Sequence, residues 1–289
     1  MSENLNRRLP SLGIVITVYY PSAETIDYIA SLACCFSIIV IVDNSEPAAE
    51  CLNVVSGLSN VTVLCGGKNL GIAAALNVGC DEAFSDGCEQ VILLDQDSRL
   101  RTELFTNEVF AMIETLSSSS LFGVSYSTRE TSAVSCVNKA DYKVLDVITL
   151  ITSGTVLSKS LYGQLGYFWE HLFIDSVDHE YCLRARLSGV GVKRVELDLL
   201  RHSIGIGSGF IPVHDAERKY YIFRNVLLVS FKYWPYFPLW VLKQFFRLLV
   251  ELVHVVLFEG DKLEKLAMVF RGATDGLRGT GGSYSERRK

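Results

Sequence analysis

Four short runs of consecutive apolar residues, at Leu12–Val18, 37–42, Val61–Cys65 and 91–94, are separated by stretches that read as helices. A run that is apolar at every position, not at alternate ones, is a strand buried on both faces. Buried strands alternating with helices of this length imply an α/β fold with a mostly parallel sheet covered on both sides. The first helix opens at Pro21-Ser22 and reaches about Cys35; a second occupies 47–56, with Pro47 near its first turn where a missing N–H is harmless. The third follows the turn Gly66-Gly67-Lys68-Asn69-Leu70-Gly71. In such sheets ligands sit beyond the carboxyl ends of the strands. Asp43, the glycine turn and Asp95-Gln96-Asp97 all fall there, so one ligand could meet all three.

The last of these carries the clearest chemistry. Residues i and i+2 of an extended chain point to one side, so Asp95 and Asp97 can present oxygens to a single point. That is a site for a hard cation: Mg²⁺ or Mn²⁺ is held by one or two carboxylates and completes its shell with substrate phosphate oxygens. The plainer alternative is a pair of capping or dipole residues for a helix starting near Arg101. The glycine turn is neither a dinucleotide fingerprint nor a phosphate-binding P-loop, since no Gly-x-Gly-x-x-Gly occurs and no Gly-Lys-Ser/Thr follows.

Composition narrows the class. The chain has 289 residues, 49% of them hydrophobic, enough for one large α/β domain with a helical appendage. Its eight cysteines lack any Cys-x-x-Cys or ligand-spaced His and read as reduced core residues. Arg7-Arg8 and the apolar run after Leu12 imitate a signal peptide only superficially, for the run is short and leads into Tyr19-Tyr20-Pro21 without a cleavage site. The expectation is a cytoplasmic protein. Net charge is −5, unevenly spread: residues 1–213 hold 14 Lys+Arg against 24 Asp+Glu, and residues 214–289 hold 13 against 8. A basic, apolar tail on an acidic body suits an anionic membrane surface and argues against nucleic acid.

Beyond residue 100 the pattern is less regular, with short strands expected at 121–126, 134–137 and 144–151 and Ser153-Gly154-Thr155 after them. Asp178 then stands at the start of a helix whose Tyr181, Cys182, Ala185 and Leu187 face inward and which Gly189 ends; Asp175 and Glu180 flank it, equally suited to dipole and capping roles. His202 follows another short strand. From 238 to 258 the chain is strongly apolar, yet Lys243, Arg247, Glu251 and His254 recur at steps of four, four and three. One charged stripe and a wide apolar face describe an amphipathic helix lying in a membrane interface, with Trp234 and Trp240 at its start, or else a helix packed on the catalytic body.

Taken in order, Val42-Asp43-Asn44, Asn69-Leu70-Gly71, Asn77-Val78-Gly79, Asp95-Gln96-Asp97-Ser98, the acidic helix start with Arg184, His202-Ser203-Ile204-Gly205 and the run from Arg218 to Asn225 resemble the family-two inverting glycosyltransferases of GT-A fold. More narrowly they are similar to bacterial rhamnosyltransferases that build O-antigen and other cell-surface polysaccharides. The resemblance spans about residues 10–280. It implies a GT-A catalytic domain over 1–213, with a nucleotide-sugar half at about 10–100 and an acceptor half at 101–213, and a membrane-associating helical region over 214–289. It also implies that Asp43 accepts a hydrogen bond from the donor's pyrimidine and that Asn69, Gly71 and Asn77 line the nucleotide pocket. By the same resemblance Asp95 contacts ribose or donor sugar, Asp97 and His202 serve the cation, and Asp175, Arg184 and Arg224 contact substrates. The base would be Asp178. Val177 stands where that family carries Glu, which leaves Asp175 as the alternative base. The implied donor is dTDP-L-rhamnose, the acceptor a polyprenyl-linked glycan, and the location the cytoplasmic face of the inner membrane.

Two rivals share parts of this pattern. Haloacid-dehalogenase-like phosphatases also place Asp-x-Asp after a strand, though after the first one. A nucleotide-sugar-binding subunit without a base is suggested by Val177 alone.

Overall fold

The structure, a computed structural model, describes residues 11–127, 142–202 and 214–285. Within them a nine-stranded sheet comprises β1 (Leu12–Val18), β2 (Ile39–Asp43), β3 (Val61–Cys65), β4 (Gln90–Asp95), β5 (Ser98–Leu100), β6 (Ser120–Ser127), β7 (Lys143–Asp146), β8 (Thr155–Ser158) and β9 (Gly191–His202). The helices are α1 (Ala23–Ala33), α2 (Asn53–Ser56), α3 (Gly71–Ser85), α4 (Asn107–Ser117), α5 (Lys159–Leu165), α6 (Val177–Leu187), α7 (Ala216–Tyr233), α8 (Pro238–Phe258) and α9 (Lys262–Leu277).

Strand order is β3-β2-β1-β4-β8-β6-β9-β5, with β7 also against β9. The first four strands pair in parallel, as expected. From β4 onward the sheet is mixed: β8 is antiparallel to β4 and β6, and β9 is parallel to β6 but antiparallel to β5 and β7. The reversal between β4 and β6 is made by β8, a four-residue buried strand that the sequence pattern passes over because it begins at the Thr of a Ser-Gly-Thr that reads as a turn. The expected strand at 134–137 lies outside the described residues. The helix expected at 47–56 is reduced to a 3₁₀ turn and the single turn of α2.

Alternation along each parallel strand builds two cores. Val15, Val40, Val42, Val91 and Leu93 point to one face with α3, α5 and α6, whereas Ile14, Ile16, Ile39, Ile41, Ile92 and Leu94 point to the other with α1 and α4. Leu228, Val229 and Tyr233 of α7 and Trp240 and Val241 of α8 join the first core, so the C-terminal region is packed on the sheet and not merely appended. On α9, Gly272 and Gly276 abut the backbone of α7 at Tyr220 and Arg224, where a Cβ has no room. Among the described cysteines, all free thiols, Cys80, Cys88 and Cys182 are core residues as expected; Cys34, Cys51 and Cys65 are exposed and Cys35 half-buried.

Candidate active site

The carboxyl ends of β1 and β4 and the start of α6 open into a cleft of about 830 Å³, whose far wall is made by α7 and α8. Asp95, Asp97, Asp175 and Asp178 all line it, together with Tyr19, Asn44, Gln96, His179, His214, Arg218, Arg247 and Glu251. Elements distant in sequence thus bring four aspartates to one place.

The two acidic residues after β4 do not sit on one extended strand. β4 ends at Asp95, Gln96 and Asp97 form a turn, and the chain re-enters the sheet at Ser98. Asp95 is held by Ser153, whose Oγ donates to Oδ2 (2.8 Å) while accepting from the Asp95 amide and from Ser98 Oγ, both at 2.8 Å. Gln96 accepts the Tyr19 amide at 2.8 Å and so ties the turn to the end of β1. Among the described residues no three His, Cys, Asp or Glu side chains converge to cage a metal. The donor set nevertheless fits a hard cation: carboxylate oxygens at a strand end, with room in the cleft for phosphate to complete the coordination shell. His202, expected to join them, ends β9 with its backbone paired to Ser98; its side chain lies outside the described residues.

Asp43 is 2% exposed, and its carboxylate accepts the amides of Ser45 (2.9 Å) and Ala49 (2.8 Å). The group expected at the pyrimidine thus shapes the 44–49 loop. Beside it, Asn44 accepts from the Leu70 amide and donates to the Gly71 carbonyl, and Asn69 Oδ1 accepts the Gly71 amide at 2.9 Å. Gly71 has φ +79°, and a Cβ there would lie 2.5 Å from the Phe173 ring. Asn69 and Gly71 therefore form the hinge between β3 and α3, one residue from the cleft-lining Ile72.

Three further expected contacts, like Asp43, Asn69 and Gly71, are not among the residues that line the cleft. Buried Asn77 accepts the Phe168 amide (2.7 Å) and donates to the Phe168 carbonyl and Glu170. Arg184 donates to the carbonyls of Leu165 and Tyr167 and to Glu180. Arg224, fully buried, donates to Asn225 and to the carbonyls of Leu172 and Gly282. Long polar side chains of this kind satisfy buried main-chain acceptors that would otherwise be costly.

α6 starts beside the cleft. Asp178 Oδ1 accepts the His179 amide at 2.7 Å; Asp175 accepts from Arg218 at 3.3 Å through Oδ1, whereas its Oδ2 is buried without a hydrogen bond. Val177 packs into the core, and Glu180, rather than capping in solvent, is fully buried, accepting from Arg184, Lys232 and Tyr233. Burial beside that carboxylate pushes the Tyr233 phenol well above its ordinary range. His214 is pushed below its ordinary value by burial and by Arg218, which favours a neutral imidazole. Sequence pattern gives no sign that His179, His214, Arg218, Arg247 and Glu251 share this cleft: His179 enters it with the start of α6, and the packing of α7 and α8 across the cleft brings in the others.

A parallel β-β-β-β half joined to a mixed half, with acidic residues at the carboxyl end of the fourth strand and at a later helix start, defines a GT-A nucleotide-sugar transferase. Comparison supports this. The family profile of glycosyl transferase family 2 matches residues 14–143. A dTDP-rhamnosyl transferase of Shigella flexneri, RfbF, is 30% identical over 295 residues, covering 94% of this chain and 97% of that protein. The chain belongs to glycosyl transferase family 2 and is a glycosyltransferase, which sets the phosphatase and non-catalytic alternatives aside. In fold it is similar to S. aureus TarS: the 1–349 fragment in complex with UDP-GlcNAc superposes with a TM-score of 0.59 at 16% identity over 93% of this chain and 81% of that one. Another TarS structure gives 0.53 at 15% identity over 90% of this chain, which spans only 43% of that chain.

Proposed function

We propose that this enzyme transfers L-rhamnose from dTDP-L-rhamnose to a polyprenyl-linked glycan, with inversion, in cell-surface polysaccharide synthesis. The gathering of Asp95, Asp97, Asp175 and Asp178 on one cleft carries the reading, and the relative named for dTDP-rhamnosyl transfer supports the donor. The nucleotide lies against the ends of β1 and β2, over Asn44 and the hinge made by Asn69 and Gly71. Asp97, with Asp95 steadied by Ser153, would hold Mg²⁺ or Mn²⁺. A cation there supplies electrostatic neutralisation of the departing nucleotide diphosphate. Asp178 takes the proton of the acceptor hydroxyl as its oxygen bonds to the anomeric carbon and the carbon–phosphate oxygen bond breaks on the opposite face. Asp175, held by Arg218 through Oδ1, lines the cleft beside that base on the substrate side.

The outer face of α8 supports membrane association. Its Arg247 and Glu251 face the cleft, while Leu239, Leu242, Phe246, Leu249, Val253 and Leu257 are exposed on the other side. No helix of the described residues is long and apolar enough to cross a membrane. A cationic region with such a face suits peripheral attachment to an anionic leaflet, where a lipid-linked acceptor resides. Calorimetric titration with dTDP and UDP, with and without Mn²⁺, tests the donor and metal together: Mn²⁺-dependent binding of dTDP over UDP is expected, and a UDP preference would overturn the rhamnose assignment.

A further inference from the structure

The turn 172–176 delivers Asp175 to the cleft and runs straight into Val177-Asp178. Three of its residues have side chains and yet adopt positive φ: Phe173 (65°), Asp175 (61°) and Ser176 (64°). Such conformations cost free energy and persist only where the surroundings over-determine them. Here the surroundings are specific. Asn225 Nδ2 shares its two hydrogens among three carbonyls of this turn, those of Leu172 (2.8 Å), Asp175 (3.0 Å) and, closer still, Ile174. The amide cannot flip, because Arg224 Nε donates to its Oδ1 at 2.8 Å.

Arg224 in turn reaches Leu172 O (2.8 Å) and Gly282 O (2.5 Å), and Arg224 and Asn225 are themselves fully buried. Gly282 belongs to a strap, residues 279–285, that crosses the same turn. Its amide donates to His171 O at 2.7 Å, the His171 ring covers Gly281 where a Cβ has no room, and the Tyr284 amide donates to Tyr221 Oη at 2.8 Å. The Tyr221 ring stacks on Phe173, which presses on Gly71 at the donor side. One chain of contacts thus runs from the strap through Arg224 and Asn225 to the aspartate-bearing turn.

We infer that Asn225, oriented by Arg224 and braced by the 279–285 strap, is the positioning residue that fixes Asp175 and Asp178 at the acceptor side of the cleft. The inference rests on Asp178 being the base. A donor amide is needed, because an oxygen at Nδ2 would face three carbonyl oxygens. The test uses full-length Asn225→Asp and Tyr284→Ala enzymes, with dTDP affinity by calorimetry, kcat for transfer, and amide hydrogen exchange of residues 171–180.

Asn225→Asp is expected to lower kcat by about 10²-fold, with dTDP affinity kept within about twofold and faster exchange confined to this segment. Tyr284→Ala keeps the strap's amide on Tyr221 but removes the ring that packs the strap on Tyr220 and the hydroxyl that accepts from Arg271, and it is expected to act in the same direction by about tenfold. It decides the matter alone if the buried Asp prevents folding. Unchanged exchange and kcat in the variant that folds, or equal losses in kcat and dTDP affinity, would overturn the inference. If Asp178→Ala retains transfer while the exchange result holds, the base assignment has failed and the positioning of the turn has not.

Discussion

Asp175 and Asp178 differ in what already holds them. Asp175 is half-engaged by Arg218, and its free oxygen is buried; Asp178 faces the cleft with one oxygen on its own helix start. A base must reach the acceptor hydroxyl, so Asp178→Ala is expected to cut transfer by about 10²- to 10⁴-fold with dTDP binding intact, as read by single-turnover kinetics. Full activity would move the role to Asp175. Asn77→Ala should behave oppositely, destabilising the fold by about 1–3 kcal/mol in urea unfolding while leaving kcat per folded molecule unchanged, because it strands the amide and carbonyl of Phe168. These two residues show what was legible at this scale. Asp178 was legible as a carboxylate at a helix start, and the structure brings it to the cleft that Asp95 and Asp97 also line. Asn77, Arg184 and Arg224 occupy the expected places in an ordered motif, but the partners that make them structural lie in other elements, Phe168 being 91 residues from Asn77.

At the scale of elements, the continuous apolar runs gave β1 and β3 to the residue, and α8 likewise matched its apolar span. In the mixed half β5, β7 and β8 were less legible because each is only three or four residues long and β8 begins inside a Ser-Gly-Thr that reads as a turn. The orientation of α8 could not be read either. A charged stripe ordinarily faces water, yet Glu251 pairs with buried Lys219 and His254 with buried Glu259, which turns much of the stripe inward. Removing α8 would also strip Trp240 and Val241 from the core, so a chain ending near 232 is a poor probe of its outer face. Phe246, Leu249 and Val253 are better targets. Changing all three to Ser is expected to abolish sedimentation with anionic liposomes, at about 1–2 kcal/mol per side chain, with an unchanged thermal midpoint; persistent binding would refute the interfacial role.

The molecule as a whole is closed by a buried charge cluster in which Glu259 accepts from Lys219 (2.6 Å), Lys265 (2.7 Å) and His254 (2.9 Å), joining α7, α8 and α9. Burial alone would raise this carboxyl, but the three donors outweigh it and hold it at about 2, against 4.5 ordinarily. A depressed carboxyl stabilises the fold above the ordinary value and loses that contribution as pH falls from about 4.5 toward 2. Glu259→Gln is therefore expected to cost about 3–5 kcal/mol in denaturant unfolding at pH 7 and progressively less between pH 4 and pH 2.

Were the outward apolar face of α8 to hold the enzyme on a leaflet, as proposed, it would change what a substrate concentration means for it. Attached by that helix, it would search for its acceptor in two dimensions, and the relevant quantity becomes the mole fraction of acceptor in the leaflet. Diluting acceptor-bearing vesicles with inert anionic lipid, at constant bulk acceptor, is expected to slow transfer, whereas diluting the same vesicles with buffer should leave the rate per bound enzyme almost unchanged.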